Sequence, residues 1–277
     1  MLDKLDWQTD RVLIDEWVFR LEHSASGNLA SGTDYFRFSK TKELVDQYAR
    51  YWATLQGFAP NNVFELGIWD GGSVVLWFEH LHPKKHVALD LKTDGDSKYF
   101  QGYLKSKGVG SRIKTYWGTN QADEEALRRI VADEFVGPID LVIDDASHLY
   151  GPTKASFQFL FPLLRPGGIY IIEDWAWAHW KGIQIGHAKD ELTPLIFELV
   201  EAAGSSTTLI ADVSVFQSFV ALYAVRWRFK SRLRYRSISI DIQNPLDQAI
   251  IKQAPRASRR LLQTRSRASA GRAALRW

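Results

Sequence analysis

Two apolar runs in this 277-residue chain end in acids. Leu141-Val142-Ile143 leads into Asp144-Asp145-Ala146-Ser147-His148, and Ile169-Tyr170-Ile171-Ile172 leads into Glu173-Asp174. Close carboxylates repel one another and raise each other's pKa unless a cation compensates. The chain has no cysteine, which excludes a disulfide scaffold, a thiolate zinc site and a cysteine nucleophile. Any metal must therefore be held by oxygen or imidazole, and an oxygen-rich set points to a hard ion, Mg²⁺ or Ca²⁺, with positions open to substrate oxygens. His148 follows Asp145 by three residues. A neutral imidazole there is suited to take a proton from a hydroxyl near pH 7. The competing reading is that these acids are helix N-caps and solvated strand ends, where Asp is common.

A second constellation lies upstream, in Glu65-Leu66-Gly67-Ile68-Trp69-Asp70-Gly71-Gly72-Ser73. Glycines between a strand and a helix let the backbone turn tightly and approach a ligand, while the helix N-terminus offers amide donors. The loop lacks the Gly-Lys-Ser/Thr ending of a phosphate-binding loop and departs from the G-x-G-x-x-G spacing. A turn that merely packs strand on helix remains the alternative. Asp90, at the end of Val87-Ala88-Leu89, stands a little over 20 residues past the first glycine, where a carboxylate can accept ribose hydroxyls. Beyond the second acid pair, Trp175, Trp177, His179 and Trp180 together with Tyr150 and Trp69 suit the wall of a pocket for a ring-shaped substrate.

These residues must be positioned by an alternation of short β-rich runs and longer amphipathic stretches. Strands are expected near 63–66, 86–91, 112–117, 139–143 and 168–173. Helical patterns cover 44–55, 72–80, 99–107, 124–135, 153–164 and 191–203. Two further strands, 207–213 and 219–227, read as an antiparallel hairpin. The expectation is an α/β, doubly wound, mostly parallel seven-stranded sheet with a terminal hairpin, binding its ligands beyond the carboxyl ends of the strands.

The net charge of +3 conceals an asymmetry: after Val225 there are 14 Lys and Arg against Asp241 and Asp247, which leaves 21 bases against 30 acids before it. The organisation read from this is an N-terminal extension to residue 42, a candidate lid; a catalytic domain over 43–227; and a basic extension over 228–277. No apolar run approaches the roughly 20 residues of a membrane span, and the first residues do not form a signal peptide. The expectation is a soluble cytoplasmic protein. Arg226, Arg228, Lys230, Arg232, Arg234 and Arg236 alternate as a phosphate-contacting strand would. Nucleic-acid modification is thus the rival function, with a solvated basic tail as the bland alternative.

The E-x-G-x-x-x-G-G-S loop, the acid at Asp90 and Arg165-Pro166-Gly167-Gly168 resemble the class I S-adenosylmethionine-dependent methyltransferases. More narrowly, Ile143 to His148 followed by Phe161 to Asp174 is similar to the metal-dependent O-methyltransferases of natural-product biosynthesis, which act on sugars of macrolides and related glycosides and are related to cephalosporin hydroxylase-type proteins. The match covers about residues 60–180. The resemblance implies a Rossmann-like methyltransferase fold, with S-adenosylmethionine and Mg²⁺ as cofactors and a small hydroxylated acceptor, sugar or glycoside, as substrate. It places Gly67, Gly71 and Ser73 against the methionine part of the cofactor, with Glu65 holding the loop or meeting the amino group. Asp90 falls at the ribose, Asn120 and Gln121 at the adenine, and Asp144 beside the cofactor or supporting the metal site. Asp145, Glu173 and Asp174 match the metal ligands and His148 the general base. Tyr150, Trp175, Trp177 and His179 are the substrate-side candidates. A homo-oligomer is an open expectation, and a cofactor-binding protein without activity is the rival from another class.

Overall fold

The computed structural model describes residues 2, 5–22, 34–180, 190–205 and 209–225. The basic segment from 226 onward, with its alternating arginines, lies outside the described residues. Four short strands come first: β1 (Asp6–Trp7), β2 (Arg11–Ile14), β3 (Trp17–Leu21) and β4 (Phe36–Phe38). They form a separate four-stranded sheet in that order.

The larger body then alternates helix and strand. It runs α1 (Lys42–Thr54), β5 (Asn62–Leu66), α2 (Gly72–Leu81), β6 (Lys85–Asp90), α3 (Lys98–Lys107) and β7 (Ile113–Trp117). After these come α4 (Glu124–Glu134), β8 (Ile139–Asp144), α5 (Tyr150–Leu160), β9 (Leu164–Glu173), α6 (Thr193–Ser205), β10 (Ile210–Val215) and β11 (Phe219–Ala224). Helix starts follow local chemistry: the side chains of Thr41, Ser97 and Asp123 accept amides at the N-termini of α1, α3 and α4.

The sheet order is β10-β11-β9-β8-β5-β6-β7. The five strands β5 to β9 are mutually parallel, and β11 inserts antiparallel between β9 and β10. This is the doubly wound, Rossmann-like methyltransferase fold expected from the sequence. Chain order reverses beside β5, whose neighbours are β6 and β8, so the crevice at the carboxyl ends of these strands is the natural ligand site.

The strand period of two divides the core. On β8, Leu141 and Ile143 pack with α1, α2 and α3, whereas Val142 packs with α4, α5 and α6. The same alternation sends Asp144 to the second face and, on β9, Glu173 to the first. The small sheet joins the first face through Trp17, Phe19, Phe36 and Phe38, all buried. Trp17 lies edge-on to Tyr99 and Tyr103 of α3, at 5.0 and 5.2 Å between ring centres. The N-terminal region, expected as a lid, is thus partly built into the core. Its strands escape a sequence reading because they are two to five residues long.

Candidate active site

A cleft of about 490 Å³ opens at the switch point. Its volume falls within the range of small-molecule sites, roughly 300–1,000 Å³. The loop after β5 forms its floor. Gly67 has φ +81°, and a Cβ there would stand 2.3 Å from the Asp145 carbonyl oxygen and 2.5 Å from the Ala146 Cα. Only glycine lets the two loops approach this closely. They are joined by the Asp145 amide donating to the Leu66 carbonyl at 2.8 Å. Gly71, at φ +94°, begins α2 against the ring of Phe100.

Of the residues expected to meet a cofactor, Gly67, Ser73, Asp90, Asn120 and Gln121 line the cleft. Glu65, Gly71 and Asp144 are not among its lining residues. Asp90 also organises the loop. Its Oδ2 accepts the amides of Ile68 and Trp69 at 2.8 and 2.7 Å, and its Oδ1 accepts that of Lys92 at 2.8 Å. Asn120 Oδ1 accepts the Ala122 amide. Gln121 donates to Asp144 and Ser156 and accepts the Ser147 amide at 2.8 Å, so it clamps the loop after β8 to the buried second face. Asp144 is enclosed there by Gln121, Ser156 and Tyr170. Burial raises its pKa, and the Ser156 and Tyr170 hydroxyls oppose the rise. Glu65 is fully buried, with Oε2 3.0 Å from His86 Nε2.

Asp145, His148 and Asp174 converge in the cleft, each presenting a ligand atom within 4.8 Å of the others, and they form the single such group found among the described residues. His148 Nε2 lies 3.8 Å from Asp145 Oδ1. Burial raises the pKa of both aspartates, the Lys40 charge opposes the rise at Asp145, and the Glu173 charge adds to it at Asp174. Acids gathered in a buried site in this way are favoured by a nearby cation.

Glu173, the third acid expected there, is not part of that group but shares the Lys40 ammonium with Asp145. Its Oε2 accepts from Lys40 Nζ at 2.6 Å and its Oε1 from the Tyr48 hydroxyl at 2.8 Å. Lys40 also donates to Asp145 Oδ2 at 2.9 Å. Burial alone would lower the Lys40 pKa, but the charges of Asp145 and Glu173 outweigh it and hold the ammonium protonated. Sequence reasoning missed Lys40 and Tyr48. Lys40 stands in a stretch without periodic pattern, directly before the α1 cap, and nothing distinguishes it there from a surface lysine.

The aromatic residues expected on the substrate side take other places. The Tyr150 hydroxyl donates to Glu198 at 2.6 Å, the Trp175 indole to the Phe216 carbonyl at 2.8 Å, and His179 meets Thr193 at 2.9 Å. None of these three lines the cleft, nor does Trp177. Trp177 instead donates to the His148 carbonyl at 2.7 Å and ties the loops after β8 and β9 together. Trp69 does line the cleft, with the Arg37 guanidinium 5.5 Å above its ring.

Residues 64–175 match a family model described as a methyltransferase domain. Demethylmacrocin O-methyltransferase of Streptomyces fradiae is 31% identical over 208 residues, 66% of this chain and 48% of that protein. Mycinamicin VI 2''-O-methyltransferase of Micromonospora griseorubida is 37% identical over 127 residues, 43% of this chain and 28% of that protein. The chain therefore spans about half the length of these relatives or less. Among solved structures, MycE methyltransferase from the mycinamycin pathway, in complex with Mg, SAH and mycinamycin VI, aligns with a TM-score of 0.53 and 25% identity, over 72% of this chain and 54% of that one.

Proposed function

From a chain that carries a class I methyltransferase domain and resembles the sugar O-methyltransferases of macrolide pathways, we propose an S-adenosylmethionine-dependent, Mg²⁺-dependent O-methyltransferase acting on a hydroxyl of a small natural product, a sugar or glycoside. The observation that carries this reading is the convergence of Asp145, His148 and Asp174 in a cleft floored by the glycine loop. The donor set fits a hard divalent ion, because Asp145 and Asp174 present carboxylate oxygens, and His148 a ring nitrogen, within 4.8 Å of one another. The glycine loop suits a nucleoside cofactor, because Gly67 lets the loops after β5 and β8 close on one another at the cleft and Asp90 ends β6 within the cleft lining, where a carboxylate could meet a ribose. When bound, the ion acts as a Lewis acid and template and the cofactor supplies an electrophilic methyl group.

The chain's own residues then have distinct tasks. Asp145 and Asp174 would hold the ion, and His148, on the same loop as Asp145, takes the proton of the acceptor hydroxyl at Nε2. Gln121 and Trp177 fix the backbone of that loop from two sides. Asp90 keeps the glycine loop in shape through Ile68 and Trp69. Ser73 and Asn120 line the cofactor end. Much of the acceleration would come from alignment of oxygen and methyl carbon.

The test is transfer of a labelled methyl group from S-adenosylmethionine to a panel of hydroxylated glycosides. Turnover is expected with Mg²⁺ and is lost on adding EDTA. Undiminished turnover in rigorously metal-free protein would overturn the metal assignment.

A further inference from the structure

We infer that Glu173 is not a metal ligand in this protein but a positioning residue, locked by Lys40 and Tyr48 so that the ion is left to Asp145 and Asp174. The inference rests on the proposed metal site and changes its composition. Three observations carry it. First, Glu173 is 1% exposed and ends β9 on the sheet face covered by α1, whereas Asp174, one residue on, has turned into the cleft through a backbone at φ +51°. Second, each Glu173 oxygen already has a donor: the Lys40 ammonium at 2.6 Å and the Tyr48 hydroxyl at 2.8 Å. Both donors come from one stretch of chain, Lys40 just before α1 and Tyr48 on its second turn, and both are buried. Third, no Glu173 oxygen joins the cluster of Asp145, His148 and Asp174.

Charge counting agrees with this division. Asp145, Glu173 and Asp174 carry three negative charges when ionised, and Lys40 returns one positive. The remainder, −2, matches a single divalent ion. Lys40 acts as a resident cation that cancels Glu173 and, by bridging to Asp145 at 2.9 Å, fixes one oxygen of that ligand while leaving the other toward His148. A buried charge without this partner would be strongly unfavourable, so the pair is retained or lost as a unit.

The experiment is direct titration of Mn²⁺, a spectroscopically visible substitute for Mg²⁺, into the full-length protein by electron paramagnetic resonance. Glu173→Gln and Asp174→Asn each take the site from −2 to −1, so they are compared at equal charge: Asp174→Asn is expected to weaken Mn²⁺ binding at least tenfold more than Glu173→Gln does. Because Glu173→Gln changes the charge of the site and removes a buried partner of Lys40, which can unfold the protein, the double variant Lys40→Met with Glu173→Gln is measured beside it. That variant removes both charges, keeps the site at −2, and is expected to bind Mn²⁺ within about threefold of wild type. Mn²⁺ binding weakened as much in a folded Glu173→Gln variant as in Asp174→Asn, or tenfold or more in the double variant, would overturn the inference and restore Glu173 to the ligand set. Wild-type protein that binds no Mn²⁺ would instead sink the proposed function, and the inference with it.

Discussion

His148 and Asp174 both adopt a left-handed backbone, at φ +53° and +51°, and Trp69, which lines the same cleft, does so at φ +53°. For residues with a Cβ this conformation costs about 1–2 kcal/mol each, and such strain persists only where surrounding contacts over-determine it. Here the contacts are visible: the Trp177 indole holds the His148 carbonyl, and the Asp174 amide donates to the Ser218 carbonyl at 2.8 Å. The strain is spent on aiming His148 and Asp174 into one cleft. His148→Ala should therefore leave S-adenosylmethionine affinity within about twofold and reduce turnover by about 10²- to 10⁴-fold, the usual contribution of a positioned base. Calorimetry and methyl-transfer assays on the same preparation check the two halves. Asp145, Asp174 and His148 were legible in the sequence because each lies within a few residues of the end of an apolar strand, where a doubly wound sheet places its site. Lys40 and Tyr48 were not, because their role comes from a tertiary approach spanning 105 to 133 residues of chain. Neither has a local pattern that announces it.

Elements were more legible than residues. The strands expected near residues 63, 86, 112, 139 and 168 all appear, because buried parallel strands are continuous apolar runs bounded by turn residues. The four N-terminal strands did not show, since their burial depends on docking against α2 and α3. Two predictions belong to the loop between β5 and α2. Gly67→Ala must push a methyl group into the Asp145 carbonyl at a φ that alanine avoids, so it should cost at least about 3 kcal/mol in chemical denaturation and abolish cofactor binding. Asp70, on the same loop, is 2% exposed and accepts the Arg37 amide at 2.9 Å. Burial lifts its pKa to about 6, against the opposing effect of the Arg37 amide. The folded state thus holds this proton more tightly than the unfolded chain does. Its stabilising contribution is complete below about pH 4 and disappears as pH rises through about 6. The window of roughly two pKa units corresponds to about 3 kcal/mol. Asp70→Asn should therefore gain stability relative to wild type between pH 4 and pH 7, by up to about that amount. Parallel denaturation curves across this range check it, and an unchanging difference would show that Asp70 does not titrate there.

At the scale of the molecule, the N-terminal sheet leads directly into the site. Its last strand runs through Arg37 and Phe38 into Ser39 and Lys40, all four of which line the cleft, so this segment forms one wall of the site and delivers the ammonium that meets Asp145 and Glu173. No helix among the described residues is long and apolar enough to cross a membrane. The charge asymmetry of the sequence separates along the same line as the fold, since the strongly basic residues follow β11, the last strand of the sheet. The proposed methyl transfer requires the methyl donor to bind, and that step requires no knowledge of the acceptor. The most direct measurement is calorimetric titration of S-adenosylmethionine into the full-length protein with and without Mg²⁺, with Gly67→Ala as the control. One cofactor per chain is expected to bind wild type and not the Gly67→Ala variant. Absence of any binding to folded wild-type protein would contradict the account.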